Sequence, residues 1–148
     1  MKICKTITED LIRVDLPGET KREVLEALVD LAARGGGISD RHAALEALLE
    51  REARMSTGIQ NGIAIPHGKS TAVKELVACL GVARLGIDFD SLDGLPCRIF
   101  VMTLSPVDRV GPHIQFLAGI SRILKDPLKR DGILRAETPA EVLKILQG

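Results

Sequence analysis

Three histidines occur in this chain of 148 residues, and their neighbours give them unequal chemical weight. His67 closes the stretch STGIQNGIAIPHGKS, Ser56 to Ser70, between Pro66 and Gly68. Pro66 locks its own φ and restricts Ile65, while Gly68 admits backbone conformations closed to other residues. These flanks predict an imidazole aimed from a strand end. Near pH 7 such a ring is a nucleophile or an acid–base group. Metal ligation has less support, because no second histidine or carboxylate stands at i+4 or another common ligand spacing. His113 follows Gly111-Pro112 and, with Leu117 and Ile120 at i+4 and i+7, is expected to face inward from the start of a helix. Position alone leaves two readings of it open, a packed core histidine and a functional one. His42 sits in the first turn of a charged helix and reads as a solvated residue.

Arg51 and Arg54 stand in the last turns of that same helix, and spacing alone reads Arg51 as an exposed residue paired with Glu46 or Glu50. Asp88, Asp90 and Asp93 form a carboxylate cluster, but beside Asp93-Gly94 they read as turn chemistry. The cysteines, Cys4, Cys79 and Cys97, are odd in number and form no CxxC pair, which argues against a disulfide framework and a zinc site. Two of them lie in apolar runs and read as small buried hydrophobes.

The elements that must position these groups follow from periodicity. GETKREVLEALVDLAARGGG has Val24, Leu25, Leu28, Leu31 and Ala32 at helical spacing, a capping box in Thr20 and Glu23, and Gly35 to Gly37 as its stop. A second helix is predicted from Ser39, with Ala44, Leu45, Leu48 and Leu49 inward. Ile63 and Ile65 predict a short strand leading to His67. Glu75 to Leu85 and Cys97 to Ser105 are apolar almost throughout, as strands covered on both faces are. GPHIQFLAGISRIL places Phe116, Leu117, Ile120 and Leu124 on one helical face, and Asp126-Pro127 and Thr138-Pro139 each predict an N-cap followed by proline at the first helical position. The expectation is an α/β fold: a single domain over residues 1–148, with a small mixed β-sheet flanked by helices on both sides.

Composition excludes several classes. Hydrophobic residues make up 45% and charged residues 27%, ordinary for a globular chain. Twenty basic and twenty acidic residues cancel, so no broad electrostatic footprint for nucleic acid or an anionic membrane exists, although a local basic pocket remains open. No apolar run approaches the roughly 18 residues that span a bilayer, and the N-terminal MKICKTITEDLIRVDL lacks the apolar core of a signal peptide. A cytoplasmic location is expected.

TGIQNGIAIPHG resembles the active-site signature of the enzyme IIA components of the bacterial phosphoenolpyruvate-dependent sugar phosphotransferase system (PTS), of the mannitol/fructose type (EIIA type 2) that includes nitrogen-regulatory IIA proteins. The similarity runs over nearly the whole chain, including LPCRIFVMTLSP. The resemblance implies that His67 is the phosphorylated histidine, that Arg51, sixteen residues before it, is the active-site arginine, and that His113 is the second active-site histidine. Gln60, where relatives often have glycine, departs from the pattern and is expected to alter a loop contact only. The implied function is a phosphohistidine carrier that needs no metal or other cofactor. An HPr-type phosphocarrier would be its donor, and a IIB domain or a regulatory target its acceptor or partner. Lacking a IIC membrane part and a separate IIB domain, the chain is expected to be a free-standing IIA. It is somewhat more similar to the nitrogen-regulatory branch, with sugar uptake as the alternative. A module that has the fold but is never phosphorylated is the rival from another class, and a hydrolase using His67 as general base is disfavoured for want of an adjacent nucleophile.

Overall fold

The chain's capping signals set the helix starts. The computed structural model describes residues 3–148. Thr20 accepts a hydrogen bond from the Glu23 amide and opens α2 (Lys21–Ala33), and Gly36, at φ +76°, turns the chain away after it. The cap of α3 (Arg41–Arg54) is Asp40, whose carboxylate accepts from the Ala43 amide. Ser39, the expected start, instead binds the Ala72 carbonyl through its amide and its hydroxyl. Asp126 and Thr138 cap α5 (Pro127–Arg135) and α6 (Pro139–Gln147), each with proline in the first turn, and α4 (Gly111–Leu124) buries Phe116, Ile120 and Leu124. The short α1 (Ile3–Thr6) and β1 (Ile12–Arg13), absent from the sequence expectations, precede these.

β1 pairs in parallel with β4 (Val77–Ile87), which runs antiparallel to β5 (Cys97–Ser105) through a hairpin turned at Asp93-Gly94. The far edge of β5 is covered by two short parallel strands, β2 (Ile63–Ala64) and β3 (His67–Lys69), giving a mixed sheet. The expected single strand from Ile63 to His67 is broken because the Ile65 amide turns out to the Thr57 carbonyl and Pro66 has no N–H to offer β5. The Pro66 carbonyl re-enters the ladder by accepting from the Thr103 amide at 3.0 Å. His67 therefore begins a new strand on the sheet's edge.

Helices cover both faces. On one, Cys79 donates its thiol to the Leu28 carbonyl of α2, and Gly68 lies against Ala47 of α3. On the other, Thr103 meets His113 of α4, and Arg84 binds the carbonyls of Leu134 and Ala136 at the end of α5. Burial pushes the Cys79 thiol far up, as expected of an inert packed cysteine. Glu52, buried on α3, ties that helix to α2 and to the loop after it: it accepts from Lys21 of α2 at 3.1 Å and from the amide and hydroxyl of Thr57 at 2.9 and 2.5 Å. Lys21 also reaches Asp90 at 3.1 Å and lies over the Phe89 ring. This junction anchors the segment that leads from α3 into the His67 loop.

Candidate functional site

Along β3 and at the C-terminal end of β5, a cavity of about 400 Å³ brings His67, His113 and Arg51 together. Each reaches it from a different element: His67 from β3, Arg51 from the last turns of α3, and His113 from the first turn of α4. Gly68 makes the convergence possible by size. A Cβ there would stand 3.1 Å from the backbone carbon and oxygen of Ala47, a tight contact that α3 would have to yield by a few tenths of an ångström to relieve. The expected role of Gly68, an unusual backbone conformation, is thereby corrected: it is an ordinary strand residue, and left-handed φ occurs elsewhere, at Asn61 (+62°) and Gly62 (+75°) in the preceding turn.

The His67 ring is oriented by its own chain. Nδ1 lies 3.0 Å from the Ile65 carbonyl oxygen, and because a carbonyl only accepts, Nδ1 carries the proton. The neutral ring then keeps its lone pair on Nε2, which has no hydrogen-bond partner among the described residues. The His113 ring stands 5.4 Å away, centroid to centroid, tilted by 45°. Its Nε2 is 3.0 Å from the hydroxyl of Thr103, a fully buried side chain. If the hydroxyl donates here, both groups are satisfied and the neutral His113 ring carries its proton on Nδ1. Burial pulls the His113 pKa below the ordinary histidine value, and repulsion from His67 and Lys69 adds to this.

Around the rings the charge is positive: Arg51, Arg54 and Lys69 face one carboxylate, Glu50. The expected pairing of Arg51 with Glu46 or Glu50 does not form. Glu50 binds Arg54 at 3.2 Å, Glu46 faces His42 at 3.9 Å, and Arg51 instead donates Nη1 to the Met55 carbonyl at 2.8 Å. That bond holds the guanidinium to the C-terminal end of the helix, and Arg51 lines the cavity. His42 is exposed, and Asp93 serves its turn, accepting from the amides of Leu95 and Asn61 and the Ser91 hydroxyl, which hold its carboxyl below the usual range.

Sequence reasoning missed Lys69, Thr103 and Ser105. The signal for the last two was present: in MTLS two hydroxyls stand two residues apart in an otherwise apolar buried strand, and so share one face of it. A larger cavity of about 710 Å³, between Thr6, Gly36 and Lys74, brings together no histidine or arginine. Among the described residues no group of three or more histidines, cysteines and carboxylates converges as a metal site, and no helix is long and apolar enough to cross a membrane.

The family model described as phosphoenolpyruvate-dependent sugar phosphotransferase system, EIIA 2, matches residues 5–148. A fructose-specific EIIA component of the PTS from Haloferax volcanii is 40% identical over 142 residues, 95% of this chain and 92% of that protein. Among solved structures, nitrogen regulatory protein IIA-Ntr from Neisseria meningitidis superposes with a TM-score of 0.88 at 27% identity, over 97% of this chain and 98% of that one. The IIA mannitol enzyme of Escherichia coli, solved in complex with phosphorylated IIB, shares the fold: TM-score 0.80, 20% identity, 94% of each chain. With the match spanning all but the first four residues, this chain belongs to the EIIA 2 family of the phosphoenolpyruvate-dependent sugar phosphotransferase system.

Proposed function

We propose that this IIA component carries phosphate on Nε2 of His67. The observation that supports this most directly is the Nδ1–H bond to the Ile65 carbonyl, which leaves the one free lone pair of the ring on Nε2 in a basic cavity. The lone pair attacks the phosphorus of a phosphorylated HPr-type donor. The new N–P bond forms as the donor's phosphoramidate bond breaks, and the bonding pair returns to the donor's ring. Phosphoryl transfer asks the protein chiefly for position and charge stabilisation. Arg51 supplies a permanently charged planar donor group to the phosphoryl oxygens. His113 offers its Nδ1–H from the neighbouring helix, and the N-terminus of α4 favours the arriving negative charge.

A protein donor fits the cavity's surroundings. Met55, which Arg51 holds, and Val110 and Ile114 beside His113 are all exposed apolar residues. Onward transfer would go to a IIB domain, as the mannitol enzyme's complex suggests, or the phosphate would be held as a signal. Likeness to IIA-Ntr in backbone and in STGIQNGIAIPHGK supports the regulatory role, and the fructose-specific relative is the observation favouring sugar uptake. Incubation with phosphoenolpyruvate, enzyme I and an HPr-type protein should label the chain with acid-labile, alkali-stable phosphate, lost in His67→Ala. Label that persists in that variant refutes the site, and no label on the wild type favours the unphosphorylated module.

A further inference from the structure

Ser105 ends β5 with its side chain 1% exposed, and among the described residues its hydroxyl is the one buried side-chain polar atom without a hydrogen-bond partner. Leaving such a group unpaired is costly, and the cost demands a reason. Its position supplies one. In the parallel ladder His67 is paired with Thr103 and Lys69 with Ser105, so the side chains of His67, Thr103 and Ser105 share one face of the sheet, the face that meets α4. Thr103 spends its hydroxyl on His113. Ser105, two residues further toward the open ends of the strands, lines the same cavity as His67 and has no such partner.

Resting on the reading of His67 as the phosphate carrier, we infer that Ser105 is a phosphoryl-binding residue whose Oγ–H donates to a non-bridging oxygen of the group on His67 Nε2. The hydroxyl suits this task because it is neutral. It adds a donor to a cavity that already holds three cations without deepening their mutual repulsion before phosphate arrives. It also sits on a strand held in the same ladder as His67, so the backbone that carries it is fixed relative to the ring. Its bond forms only in the phosphorylated state, so it stabilises that state selectively and makes the loaded form a better store of phosphate.

Ser105→Ala separates the two states. Removing an unsatisfied buried hydroxyl should leave the melting temperature of the unphosphorylated protein equal to or above that of the wild type. A hydrogen bond to a charged group is worth roughly tenfold to a hundredfold in an equilibrium, so the equilibrium constant for phosphoryl transfer from the HPr-type donor should fall by that factor. The ³¹P resonance of the phosphorylated variant should also move from its wild-type position. Unchanged transfer equilibrium together with an unchanged ³¹P resonance would overturn the inference while leaving the carrier reading intact. A wild-type chain that takes no phosphate from the donor overturns the carrier reading, and this inference with it.

Discussion

Arg51 and Arg54 line one cavity from one helix, three residues apart, yet their partners differ. Arg54 has its charge met by Glu50, whereas Arg51 donates to a carbonyl and makes no ion pair among the described residues. Removing one preorganised donor to a developing charge typically costs on the order of 10²–10³ in rate. Arg51→Ala should therefore slow phosphorylation of His67 by about that factor, and Arg54→Ala by far less; equal losses in single-turnover transfer would remove the distinction. His113 is tested through pH. Its folded-state pKa is depressed, so as pH falls below about 6.5 the unfolded chain takes up the proton first and stability is lost. In His113→Gln the fall in melting temperature between pH 7.5 and 5.5 should be shallower than in the wild type. An identical slope would mean that His113 does not carry that linkage.

Among the elements, the close seating of α3 on β3 decides whether the site exists. A methyl group at Gly68 would press on the Ala47 backbone, which can yield only if α3 moves and takes Arg51 with it. Overpacking of this kind costs about 1–3 kcal/mol. Gly68→Ala should lower the melting temperature and slow transfer together. Thr138→Ala is the control: it removes the N-cap of α6, away from the cavity, at a cost of about 1 kcal/mol, and should leave the transfer rate of the folded protein unchanged. A Gly68→Ala variant that transfers at the wild-type rate would show that the helix can shift without disturbing the site. At this scale much was readable in advance. Caps at Thr20, Asp126 and Thr138 and the apolar runs of β4 and β5 are local signals and appear in the structure as expected. The break at Pro66 differs from the expected continuous strand because the partner that re-pairs the Pro66 carbonyl, Thr103, lies far along the chain.

For the whole molecule, zero formal net charge means that attraction of an oppositely charged partner by overall charge is absent, and steering depends on how charge is distributed. On the proposed carrier reading, the local cationic cavity and its exposed apolar neighbours are the surface that a donor would meet. Ile114 is exposed beside His113 and contributes little to the core. Ile114→Asp should raise the donor concentration needed for half-maximal transfer by about tenfold or more, the scale of a lost interface anchor, with melting temperature unchanged. An unaltered donor dependence would place the docking surface elsewhere.

What the sequence by itself determined is what short-range chemistry encodes. The helix caps, the strand runs and the isolation of His67 between proline and glycine depend on neighbours within a few residues. The resemblance, carried by TGIQNGIAIPHG and by similarity along nearly the whole chain, likewise pointed to His67, Arg51 and His113, which the fold brings to one cavity. Only the tertiary structure decided which groups those residues answer to. Arg51 gave up the carboxylates near it in sequence for the Met55 carbonyl, and Gly68 proved to matter for its lack of a side chain against a helix that precedes it by about twenty residues. Glu52 joined Lys21 to Thr57, and Thr103 and Ser105 came to lie with His67 through strand register. These are contacts between residues distant along the chain, set by how a parallel ladder and two helix layers pack. No local pattern specifies such contacts, because each depends on the position of every layer at once.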